Sequence, residues 1–350
     1  MDPAGVFAVR YSQDRALLRT RKQWFALAVF LAALAALPLL VGPRLIAVAN
    51  IMLISAIVVV GLQICTGYAG QVNLGQAAFM GVGAYTAAVL AERTGLSFLL
   101  TIPLSGVAAA GFGFVFGLSA ARIKGFYLAL TTIAAQFVFH FAVLNLPGSW
   151  LGGSNGATVP PATLFGYRIA SDTSLYYLCL VCTVIMVYGA FGIVRSRFGR
   201  AFIAVRDDDV AAGIMGINVV ATKATAFLVG AFYAGVGGAL WAYMLRFVAV
   251  DQFTLFNSVF FIAMIIVGGM GSVVGALIGV FVIRAIQELI TSLGPELAAS
   301  VPFLGGDIVF ASMNVFLGGA IALFLIIEPK GLMHRWNIVK AGYRLWPFPY

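Results

Sequence analysis

Apolar runs of about 20 residues, the length that crosses a bilayer as a helix, follow one another along almost the whole chain. They lie near 24–42, 45–66, 76–91, 98–121, 126–147, 175–194, 224–245 and 307–327. The block from Ser258 to about Thr291 is too long for one crossing. Gly268, Gly269, Gly271 and Gly275 interrupt its middle, so it reads as two shorter helices joined at a glycine elbow. In hydrocarbon every backbone polar group needs a partner within the chain, which leaves only helices or a closed barrel. The alternating pattern of a barrel is absent. The spacing therefore predicts an all-α polytopic membrane protein with about ten transmembrane segments, some of them broken. Composition agrees: 9% of residues are charged, against about 25% in soluble domains. The first run is too long for a cleaved leader and is followed at once by further spans, so it reads as a span itself.

Charge sets the orientation. With the N-terminus inside, Arg44, Arg93, Arg168 and Arg246 fall outside, and the rest of the 21 cations, Arg284 included, fall inside. This is the positive-inside bias, and it places both termini in the cytoplasm. The net charge of +9 then reflects anionic headgroups, with no call for nucleic acid. Residues 1–23 form an inner N-terminal segment, 24–328 the membrane domain and 329–350 an inner tail. The long outer loop, 148–174, is rich in Gly and Pro and reads as a shaped loop.

The inner segment 195–223 carries five cations and the acid triplet Asp207, Asp208 and Asp209. Phe198, Ala201, Phe202 and Val205 fall on one face of a short helix. Asp208 or Asp209 can cap a second helix through Val210 and Ala211, ending at Gly216. Two short amphipathic helices on the inner surface suit a docking site; the alternative is a solvated interfacial loop.

Two glycine-rich interruptions sit at membrane depth. Gly67 to Tyr85 places the amides Gln71, Asn73 and Gln76 between two spans. Polar groups and irregular backbone there must face protein or a water-filled cavity. Gly268 to Gly279 contains overlapping GxxxG, at Gly271–Gly275 and Gly275–Gly279. Broken helices mark transport pathways, while GxxxG also marks plain helix packing, the reading favoured for the second interruption. No G-x-x-x-x-G-K-[ST] phosphate loop is present, and no metal or nucleophile constellation suggests an enzyme. His140, alone in an apolar span, and Cys179 and Cys182 read as packing residues.

Several of these segments resemble one family. GYAGQVNLGQAAFMGVGAYTAAVL, GGSNG, GRAFIAVRDDDVAAGIMGINVVATKATAFLVGAFYAGVGGALWAY, VGGMGSVVGALIG and EPKGL run in order from about 60 to 332. Together they are similar to the branched-chain amino acid ABC-importer permeases, LivM-type subunit. Asp209 stands where that family usually has Glu, and Gln76 where His is frequent. The resemblance implies an importer permease fold in a bacterial inner membrane. It implies a second permease subunit, two ATPase subunits that use ATP and Mg, and a periplasmic solute-binding protein as partners, with no cofactor in this chain. It implies ATPase coupling through Arg200, Ala204, Arg206, Asp207, Asp208, Asp209, Ala211 and Gly216. Gly67, Gly70, Gln71, Asn73, Gly75, Gln76, Phe79 and Tyr85 would border the translocation pathway. Gly152, Gly153, Ser154, Asn155 and Gly156 would form the periplasmic loop motif. The expected solute is a branched-chain or related amino acid. A self-contained secondary transporter or channel is the alternative; it would share the spans but have no use for the inner amphipathic segment.

Overall fold

The structure is a computed structural model that describes residues 21–120, 123, 125–147, 152–164, 167–169, 171–300, 315, 318–319 and 321–345. Its helices are α1 (Arg21–Leu40), α2 (Pro43–Leu62), α3 (Gln76–Thr94), α4 (Phe98–Ala120), α5 (Phe126–Asn145) and α6 (Asp172–Arg195). Two short helices follow, α7 (Arg197–Asp207) and α8 (Asp209–Ile214). Then come α9 (Val219–Leu245), α10 (Leu255–Gly268), α11 (Val273–Ser300) and α12 (Leu332–Leu345). Among the described residues eight helices are long and apolar enough to cross a membrane. The expected span at 76–91 is helical as α3, but it is lined with buried small residues and Gln76 and meets protein more than lipid. The split of the long block into α10 and α11 is as the glycines predicted. The expected span at 307–327 lies mostly outside the described residues; 321–327 is helical.

The core is built around α9, which packs against α2, α3 and α4. Glycines set these approaches. A Cβ on Gly238 would stand 1.9 Å from the Met80 carbonyl oxygen, and one on Gly83 would stand 2.3 Å from the Gly235 oxygen. Small residues at helix contacts replace the hydrophobic drive that lipid cannot supply. Because the obstacle is backbone, no rotamer relieves it. Gly238→Val is expected to exceed the ~1–3 kcal/mol of ordinary overpacking and to abolish the monodisperse peak in detergent size exclusion. Gly111→Ala, within α4 at a position with nothing within 4 Å, should leave that peak in place.

Helix α1 buries no residue fully, but Leu34, Ala35 and Leu37 pack against Tyr176 and Leu180 of α6 and Ile46 of α2, and two hydrogen bonds add to this contact. Pro38 has no N–H, so the Leu34 carbonyl four residues back loses its helical donor. The Tyr176 hydroxyl donates to that carbonyl at 2.8 Å, and Tyr177 donates to Ala35 O at 3.0 Å.

The described part of the 148–174 loop is shaped by short regular elements. Gly153–Asn155 is one turn of 3₁₀ helix between Gly152 and Gly156, both at positive φ. Strand β1 (Ala157–Thr158) pairs antiparallel with β4 (Phe247–Val248), and β2 (Ala162–Leu164) with β3 (Tyr167–Ile169). These short ribbons give the main chain its hydrogen bonds and strap the loop to the segment after α9. Arg284, expected at the inner side, lies instead about 17 Å along α11 from Val273, at 1.5 Å per residue, in the middle of a candidate span.

Candidate functional site

The two glycine-rich interruptions meet each other, and the short helix α7 sits on both. Helix α2 runs past Leu62 into a π turn, Gln63–Tyr68. The chain then reverses through Gly70, at φ 68°, to reach α3. Gln63 is fully buried, and its Nε2 donates to the carbonyls of Gly269 and Ser272, both at 3.1 Å. That one side chain ties the end of α2 to the elbow between α10 and α11. Arg206, near the end of α7, donates from Nη1 to the Gly67 carbonyl at 3.2 Å. Its stem lies against Gly70, where a Cβ would be 2.8 Å from Arg206 Cγ. A Cβ on Gly271 would be 3.3 Å from Arg206 Nη1.

EPKGL joins the same cluster. Gly331, at φ 77°, passes so close to Gly269 that a Cβ there would stand 2.5 Å from the Gly269 Cα. Glu328 pairs with Arg335 at 3.2 Å, closing the turn into α12.

The amides of the first interruption hold backbone. Gln76 Nε2 donates to Val58 O of α2 at 3.0 Å and to Gly230 O of α9 at 3.2 Å. Asn73 Nδ2 donates to Gln76 Oε1 at 2.8 Å, and Asn73 Oδ1 accepts from Gly75 N at 2.9 Å. Thr132 Oγ1 accepts from Leu74 N and Ser258 Oγ from Ala77 N. The unpaired N–H groups at the start of α3 are thus met by side chains from α5 and α10. Gln71 Nε2 donates to Ala69 O at 2.9 Å. Gln71, Asn73 and Gln76 are all buried, so they face protein in this conformation. Phe79 packs edge-on to Phe112, and Tyr85 edge-on to Phe139.

The acid triplet is engaged within the chain. Asp208 caps α8, its Oδ1 accepting from Val210 N and Ala211 N at 2.9 and 3.0 Å. Asp207 Oδ1 accepts from Arg206 Nε and Nη2. Asp209 pairs at 3.2 Å with Lys223, whose side chain is 5% exposed. Phe202 and Val205 are buried as the helical spacing predicted, but Phe198 is exposed beneath Arg197. The same segment also offers apolar side chains: Val210, Ile214 and Met215 on and just after α8 are all largely exposed. Gly216, at φ 86°, follows them. Arg200 and Ala211 are exposed and Ala204 is half-buried. A cleft of about 320 Å³ opens between α7, α8 and the first interruption, lined by Gly70, Gln71, Arg206, Asp209 and Lys223 among others. The motif residues of the outer loop lie apart from this junction, with Gly156 against Phe247 and Val248.

Sequence reasoning missed Gln63, Thr132, Ser258 and Lys223, whose only signal was polarity within or beside an apolar run. Removing Asp209 alone leaves Lys223 buried without its charge partner, which costs more than removing both. Asp209→Ala is therefore expected to lower the thermal aggregation temperature by several degrees. Asp209→Leu with Lys223→Met should recover most of the loss.

The fold and this junction define a multi-pass membrane protein in which spanning helices, two helix breaks and a peripheral segment form one connected unit. Residues 44–326 match the family described as branched-chain amino acid transport system / permease component, and the chain belongs to that family. It is 30% identical over 338 residues to the high-affinity branched-chain amino acid transport system permease protein LivM of Salmonella typhimurium, covering 90% of this chain and 76% of that protein. The LivM protein of Escherichia coli gives the same identity and coverage. The inner membrane ABC transporter permease protein YjfF of Escherichia coli is 27% identical over 264 residues, 73% of this chain and 74% of that one. No solved structure matches.

Proposed function

We propose that the chain is one of two permease subunits of an ATP-driven importer of branched-chain or related amino acids in a bacterial inner membrane. Both termini face the cytoplasm. The outer loop receives solute from a binding protein. Two separate ATPase subunits use ATP and Mg and dock beneath α7 and α8; this chain carries no ATPase site. The observation that carries the reading is Arg206, which touches both helix breaks from the inner segment. A push on α7 moves the Gly67 carbonyl and, through Gln63, the elbow at Gly269–Ser272. Glycines at positive φ let both breaks change backbone angles where other residues would resist. Coupling of this kind needs an element with two arrangements that both ends bias, and paired breaks locked by few hydrogen bonds supply one.

The docking half rests on Val210, Ile214 and Met215, an apolar edge on a basic surface. Ile214→Asp with Met215→Asp is expected to remove co-purification of the ATPases at least tenfold while the permease pair still inserts. ATPases that stay bound to that variant would place the contact elsewhere and refute the docking assignment.

A further inference from the structure

Among the described residues no ion pair accounts for Arg284, and its depth in α11 keeps it from the headgroups. It is about three helical turns from the elbow at Ser272 and faces α2 and α10. Its Nε and Nη2 donate to Ser55 Oγ at 3.2 and 2.8 Å, and its Nη1 donates to Gln287 Oε1 at 2.8 Å. The guanidinium carbon lies 5.5 Å from the centre of the Phe260 ring. Every one of these partners is neutral. Glu288, one turn further out on α11, is held by Arg44 at 2.7 Å. Three of the five guanidinium N–H groups are used, and the other two have no partner among the described residues.

A guanidinium stays charged at any working pH. A cation inside a span without a counter-charge marks a solute or ion route before it marks architecture. The side chain also stands at the right place on its helix: Ile283 beside it is buried, while Phe281, one turn back, is 63% exposed. Arg284 is partly buried, at the border between packed helix and open face. Ser55 and Phe260 fix the plane of the fork, and a planar fork with free N–H groups fits the two oxygens of a carboxylate. Depth separates this site from lipid phosphate, which stays at the headgroup level.

We propose that Arg284, positioned by Ser55, Gln287 and Phe260, binds the carboxylate of the solute in transit midway across the membrane. The identity of that solute as an amino acid rests on the proposed function; the anion selectivity of the site does not. Replacing the cysteines (Cys65, Cys179 and Cys182) with Ser and introducing Phe281→Cys places a thiol one helical turn from the guanidinium while leaving its positioning partners in place. In the assembled transporter in proteoliposomes, a sulfonate-bearing methanethiosulfonate should label it at least tenfold faster than the trimethylammonium analogue, in either the ATP-free or the ATP-bound state. Arg284→Gln should abolish that preference. In the unlabelled complex Arg284→Gln should lower ATP-driven uptake at least tenfold with the ATPases still bound, and Arg284→Lys should recover much of it. Labelling without charge preference, no labelling in either state, or parental uptake by Arg284→Gln would overturn the assignment. If Arg284→Gln does not assemble, Arg284→Lys decides: an assembled Lys variant that shows no anion preference overturns it equally. A parent complex without ATP-driven uptake would sink the proposed function and leave the labelling result to decide this site.

Discussion

Arg206→Ala is expected to lower ATP-driven uptake by about tenfold to a hundredfold while the assembled complex keeps hydrolysing ATP. The magnitude follows from the bond removed. A hydrogen bond from a charged donor to a carbonyl is worth about 1.5–3 kcal/mol, and a coupling free energy of that size corresponds to roughly 10- to 150-fold. The Arg206–Asp207 contact at 2.9 Å is largely exposed on the acid side and belongs to a class worth about 0–1 kcal/mol. Asp207→Ala should therefore change uptake by about fivefold at most. Comparing uptake per ATP hydrolysed in the two variants checks the assignment. Equal losses would mean that the ion pair, and not the reach to Gly67, matters.

The second large effect is on folding. Gln76 is fully buried, and its amide joins the first turn of α3 to carbonyls of α2 and α9. Leucine there strands the Asn73 amide in a place that water reaches poorly, at about 1–3 kcal/mol for a group left unmet, and it removes the bonds that tie α3 to helical carbonyls of α2 and α9. Gln76→Leu is expected to reduce monodisperse protein in detergent at least tenfold. Gln71→Leu should reduce it by less than half, because Gln71 Nε2 donates only to Ala69 O, two residues away. Similar yields from the two variants would show that Gln76 is not the tie between these helices.

Much of the architecture was legible because the bilayer enforces it. Span lengths, the split at Gly268–Gly271 and the cap at Asp208 all follow from local rules. The site was legible only in pieces. Gly67, Arg206, Gly271 and Gly331 were each singled out or lay in a quoted motif, yet nothing in their spacing says that they touch, since 139 residues separate Arg206 from Gly67. Gln63 escaped notice inside an apolar run, because hydropathy does not distinguish a π turn from the helix it extends. Arg284 was assigned to the inner side because the long block fixed two helices without fixing where the second begins to climb. The acid triplet was legible as charge but not as contacts: each Asp has a partner within the chain, Asp208 as a helix cap and Asp207 and Asp209 in ion pairs.

The most direct test of the account reconstitutes this chain with a second permease subunit, two ATPase subunits and a solute-binding protein, and follows entry of a labelled branched-chain amino acid into proteoliposomes. Uptake is expected only when ATP reaches the ATPases and the binding protein is present, undiminished when a protonophore collapses the proton gradient. Uptake by this chain alone, driven by that gradient and indifferent to ATP, would contradict it.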